Sequence, residues 1–101
     1  MIQFLRDFIS PEERRVIGQE AKQLLANKHF RDAFDAVESY LVDKAKACDP
    51  SKPGHAENVV ISMQLMEALK REIVRKVEDG EMAQIELAEL ERKNSPRRFY
   101  R

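Results

Sequence analysis

The sequence predicts an all-α protein: an antiparallel helical hairpin with a long C-terminal helix and a short N-terminal helix. Three observations lead there. Apolar residues recur at steps of three and four through most of the chain, which is the period of an amphipathic helix. No stretch alternates apolar and polar residues between turn signals, so strands are not expected. Proline and glycine gather around residues 50–54, leaving residues 56–93 with no proline and the single glycine Gly80. At 101 residues the chain is sized for one domain, expected over residues 1–93, with residues 94–101 as a basic tail.

The first element expected is a short helix over residues 3–9, which places Phe4, Leu5, Phe8 and Ile9 on one side. Ser10-Pro11-Glu12-Glu13 then forms a complete helix start. Ser10 is the N-cap, Pro11 takes the first helical position, and Glu13 closes a capping box. A helix over residues 11–27 follows, with Val16, Ile17, Ala21, Leu24 and Leu25 as its stripe and Asn27 as its C-terminal residue. Phe30, Ala33, Phe34, Val37, Tyr40 and Leu41 continue the period in a helix over 29–47. Cys48-Asp49-Pro50-Ser51-Lys52-Pro53-Gly54 stops it, because two prolines and a glycine in five positions cannot continue a helix.

The last helix, over 56–93, is about 55 Å long at 1.5 Å per residue. Its stripe runs through Val59, Met63, Met66, Leu69, Ile73 and Val77, and drifts in phase after Val77. Glu67 with Arg71, and Glu72 with Lys76, stand at i,i+4 on the solvent side. Gly80 is its weak point, worth about 1 kcal/mol against alanine. The preceding helix is half as long, so the distal half is expected to project. Met82, Ile85 and either Leu87 or Leu90 then require cover from the first helices or from another copy of the chain, with Leu90 taken as the surface residue.

Charge is segregated. The chain holds 18 Lys and Arg against 18 Asp and Glu, yet residues 92–101 contain five bases and no acid. The preceding stretch, Glu78 to Glu91, has six acids and no base. A zero net charge excludes a protein that coats nucleic acid along its whole surface. The tail Arg97-Arg98-Phe99-Tyr100-Arg101 has two readings: a solvated terminus whose bases complement the C-terminal end of the helix dipole, or a docking peptide, with arginines for charge-assisted contacts and an aromatic pair as anchor. Its candidate targets are the acidic stretch of a neighbouring copy, another protein, or nucleic acid phosphates, so DNA is a candidate partner through this tail.

Catalytic equipment is not expected. His29, His55 and Cys48 match no metal spacing, and there is no phosphate-binding glycine loop, His-Glu-x-x-His or nucleophile elbow. Neither a catalytic residue, a metal nor a cofactor is assigned, and the sequence reads as a non-enzyme. One cysteine makes no internal disulfide and suits a reducing compartment. The apolar cluster from Met1 to Ile9 is broken by Arg6 and Asp7 and is too short for a membrane span, so no membrane partner is expected.

The run Leu24-Leu25-Ala26-Asn27, then Phe30, Ala33-Phe34-Asp35 and Glu38, the proline gap, and Leu69, Ile73 and Gly80-Glu81-Met82-Ala83 resemble small helical proteins encoded by tailed bacteriophages and prophages. The resemblance spans roughly residues 20–85. It implies a phage-derived protein of the virion head or DNA-packaging module, resident in host cytoplasm or virion. On that basis a structural, homo-oligomeric assembly protein is expected, using Met82, Ile85, Leu90, Arg97, Arg98, Phe99, Tyr100 and Arg101 to bind itself or other head and packaging proteins. The alternatives are a nucleic-acid-binding packaging subunit like the small terminases, or a regulator that binds a host protein. Small terminases pair a helix-turn-helix with a basic recognition helix, whereas Phe30 to Asp43 carries more acid than base.

Overall fold

A computed structural model describes residues 9–94. Residues 3–8 of the helix expected over 3–9, and residues 95–101 of the tail expected over 94–101, lie outside them, while Ile9 is in a bend and Asn94 in a turn. The described residues form three α-helices and no strand: α1 (Pro11–Ala26), α2 (Lys28–Lys46) and α3 (His55–Lys93). The protein is all-α, with a 39-residue C-terminal helix that runs unbroken through Gly80.

Each helix start has a local cause. Ser10 Oγ accepts the Glu13 N–H at 3.2 Å as an N-cap does and donates to the Glu13 carboxylate at 3.2 Å, so the Glu13 side chain meets the cap's hydroxyl. Asn27 does not end α1 as the sequence suggested. Its extended backbone (φ −71°, ψ 123°) and its side-chain oxygen, which accepts the Phe30 N–H at 2.9 Å, make it the N-cap of α2. One residue thus separates two helices. In the loop before α3, Asp49 accepts from the Ser51 amide at 3.0 Å and the Ser51 hydroxyl at 2.7 Å. Gly54 then adopts φ +78°, a left-handed conformation natural to glycine, and its carbonyl accepts the Asn58 N–H at 3.0 Å.

The chain divides into two compact units, one of residues up to Gln23 with those from Val74 onward, the other of Leu24–Ile73. In the second unit α2 and the proximal part of α3 run antiparallel: Phe34 lies by Lys70, whose ammonium stands 6.0 Å from the ring centroid, while Leu41 and Val42 share a groove with Val60 and Met63. Phe30 and Phe34 pair with centroids 5.7 Å apart. Val59 and Ile73 are its buried apolar residues.

In the first unit α1 runs antiparallel to the distal part of α3. The distal half of α3 therefore has a cover from its own chain. A Cβ placed on Gly18 would stand 2.6 Å from the Gly80 Cα and 2.9 Å from the Lys76 carbonyl oxygen, and one placed on Gly80 would stand 2.7 Å from the Gly18 Cα. The two backbones touch where neither residue has a side chain. In the same unit Ala21 is buried and Ala83 fully so.

Candidate partner-binding surfaces

The covered row of α3 is Val59, Met66, Ile73, Gly80 and Leu87, one position every seven residues, each buried or half-buried. The repeat does not lose phase after Val77. It passes to Gly80, which carries no hydrophobic signal in sequence but offers the flattest surface for an approaching helix. Of the stripe expected from sequence, Met63 and Leu69 are exposed instead.

Around that row the predicted surface residues fall into place. At about 100° per residue, Met82 and Ile85 lie roughly 200° and 140° around α3 from Gly80, away from α1. They are 58% and 60% exposed, and Leu90, on another side of the helix, is 49% exposed. The structure brings Met82 and Ile85 together on one outer face and leaves Leu90 apart from them. In the second unit Ile61, Leu65 and Leu69, at i, i+4 and i+8, form a further exposed row, with Leu65 at 66%. Arg97, Arg98, Phe99, Tyr100 and Arg101 lie outside the described residues.

One cluster was not foreseen. Arg14, its side chain only 12% exposed, holds Asp79 through Nε and Nη2 at 3.1 and 2.9 Å, and Glu86 through Nη1 and Nη2 at 3.0 and 3.2 Å. Both carboxylates receive a two-bond fork, the strongest arrangement a guanidinium offers. Hydrogen bonds to Asp79, then to Glu86, push the Arg14 pKa above its already high ordinary value, so it stays charged. The signal was present in the sequence: Arg14 stands one turn before Gly18, and Asp79 and Glu86 are seven residues apart on one face of α3.

A groove of about 480 Å³ opens between α2 and proximal α3. Leu41, Val42, Val60, Met63 and Met66 make its floor, and Glu38 and Glu67 stand at its rim. Val42, Val60 and Met63 are solvent-exposed. Neither rim carboxylate makes an ion pair among the described residues, so the i,i+4 pair of Glu67 with Arg71 is not closed.

The other chemically distinctive side chains take local roles. His55 Nδ1 accepts the Asp49 N–H at 3.4 Å at the start of α3, His29 is exposed near the start of α2, and Cys48 is a half-buried thiol in the loop. Ser51 holds the Asp49 carboxyl below the usual carboxylate range, mainly through its hydroxyl and then its amide. Among the described residues no group of three or more His, Cys, Asp or Glu could hold a metal ion, and no helix is long and apolar enough to cross a membrane. No family model matches the chain, and no curated protein or solved structure matches it.

Proposed function

We propose that the chain acts without catalysis, as a helical homo-oligomer that serves as a structural or assembly protein. One observation carries this reading. Among the described residues the buried apolar side chains are Ala21, Val59, Ile73 and Ala83, two of them alanines, while fourteen large apolar residues are exposed. Hydrophobic burial is the main stabilising effect in folding and association, and chains of this size bury a modest share of their surface alone. The rows Met82–Ile85 and Ile61–Leu65–Leu69 are laid out as helix-packing stripes, suited to self-complementary contact between copies.

The phage head or packaging context rests on the resemblance alone. Two of its more particular positions also have roles in the fold: Asn27 caps α2 and Gly80 admits α1. Replacing Met82 and Ile85 together by glutamate tests the oligomer. Neither side chain takes part in the α1 contact, so helicity should be retained while the particle mass in light scattering falls toward one chain. An unchanged multimer would remove this face from the proposal, and a wild-type monomer would remove the proposal itself.

A further inference from the structure

We infer that the groove between α2 and proximal α3 is a receptor for the basic, aromatic tail, residues 95–101, of a second copy of the chain. The inference rests on the homo-oligomer reading and names a contact within it.

Charge complementarity is the first support. The two helical stretches that flank the groove, residues 34–43 of α2 and 56–69 of α3, contain Asp35, Glu38, Asp43, Glu57 and Glu67 and no lysine or arginine. Lysine and arginine return only at the borders of the patch: Arg31 and Lys44 on α2, Lys70 and Arg71 on α3. Lys44 stands 5.5 Å from the Tyr40 ring centroid, and Lys70 is over Phe34. Among the described residues neither rim carboxylate thus has a cation of its own. The tail residues 95–101 carry three bases, Arg97, Arg98 and Arg101, and no acid, a charge of opposite sign.

Shape and polarity are the second. Bare acids would attract any cation, but here they border an apolar floor of aliphatic and methionine side chains. Methionine adapts its shape and makes favourable contacts with aromatic rings. Phe99 and Tyr100 are an aromatic pair set between Arg98 and Arg101, so anchor and charges arrive together, as in binding hot spots. Of the acids of the distal stretch, Asp79 and Glu86 are held by Arg14 and Glu89 by Arg92.

Reach decides between the chain's own tail and that of a neighbour. From Glu67, the rim residue nearest the C-terminus, to Lys93 the continuous helix α3 rises about 39 Å. The eight residues after Lys93 span at most about 29 Å when fully extended. By that comparison the groove assigned to the tail is a second copy's. Every copy then offers one tail and one groove, a head-to-tail contact that propagates unless it closes on itself.

A synthetic peptide of residues 92–101 tests this, titrated into the full chain labelled with a dye at Cys48 and held at nanomolar concentration. Saturable binding that weakens with added salt is expected, and E38K/E67K should weaken it about tenfold or more. A peptide with Glu in place of Arg97 and Arg98 should bind the E38K/E67K chain better than the natural peptide does, which shows that the variant is folded. Absence of binding, or equal binding by E38K/E67K, would overturn the inference. So would a peptide that binds duplex DNA and not the chain. At this dilution the wild-type and R97E/R98E chains should take up the peptide equally. A wild-type groove closed to peptide, beside an open one in R97E/R98E, would mean that the chain's own tail occupies it and would overturn the second-copy assignment. Loss of peptide binding in a chain whose mass remains multimeric removes this contact only. A wild-type chain that stays monomeric at every concentration removes the homo-oligomer reading and this contact with it, even where the isolated peptide binds.

Discussion

Replacing Gly80 by alanine should destabilise this protein, although the same change in the middle of an ordinary exposed helix stabilises by about 1 kcal/mol. The new Cβ would lie 2.7 Å from the Gly18 Cα and 3.2 Å from the Arg14 carbonyl oxygen. Both are main-chain atoms, so no rotamer change relieves the clash. Ordinary carbon contact begins near 3.5 Å, so α1 and α3 must separate by roughly 0.8 Å. Overpacking of this kind costs about 1–3 kcal/mol, and the separation also stretches the four bonds of Arg14 to Asp79 and Glu86. Set against the gain in helix propensity, a net loss of about 1–2 kcal/mol is expected. For a domain of this size that corresponds to a fall in Tm of about 5–10 °C. Thermal unfolding followed by circular dichroism reads it directly. Adding Gly18→Ala to Gly80→Ala should cost less than Gly18→Ala alone, since the helices have already parted. A higher Tm in Gly80→Ala would refute the close crossing.

Arg14→Lys should lower stability by about 1–2 kcal/mol, because a single ammonium cannot fork to two carboxylates, and urea unfolding should show the loss. Asn27→Ala should cost about 1 kcal/mol and fray the start of α2, visible as faster amide exchange at Phe30. Asp49 titrates below its ordinary value of 3.8 because of Ser51. Its contribution to the loop is therefore present above about pH 4 and lost as the pH falls through the lowered folded value. In Ser51→Ala the carboxyl resonance should titrate at higher pH than in the wild type.

The helical character of the chain was legible because it rests on local signals. Ser10-Pro11-Glu13 marks the start of α1 with side chains that bond to the helix they open, and the prolines at 50 and 53 with Gly54 leave no alternative to a loop. Asn27 was misplaced because asparagine serves either end of a helix, and only the backbone geometry separates the two roles. Gly80 was misread for a deeper reason. Its helix-weakening effect is intrinsic and visible in one residue, whereas its value here comes from Gly18, 62 positions away in sequence. The same holds for Arg14, whose acidic partners looked like a stretch without a base until α1 supplied one. Met82 and Ile85 were recognised as apolar positions in need of cover. Their exposure follows from angular position: α1 covers the side of α3 that bears Gly80, and these two lie well around the helix from it.

The most direct test of the central proposal, that the chain is completed by copies of itself, is its absolute mass in solution by sedimentation equilibrium across a hundredfold dilution. A mass that is a multiple of 11.8 kDa at the higher concentrations, falling on dilution, is the expected result. A particle of one chain at every concentration would contradict it.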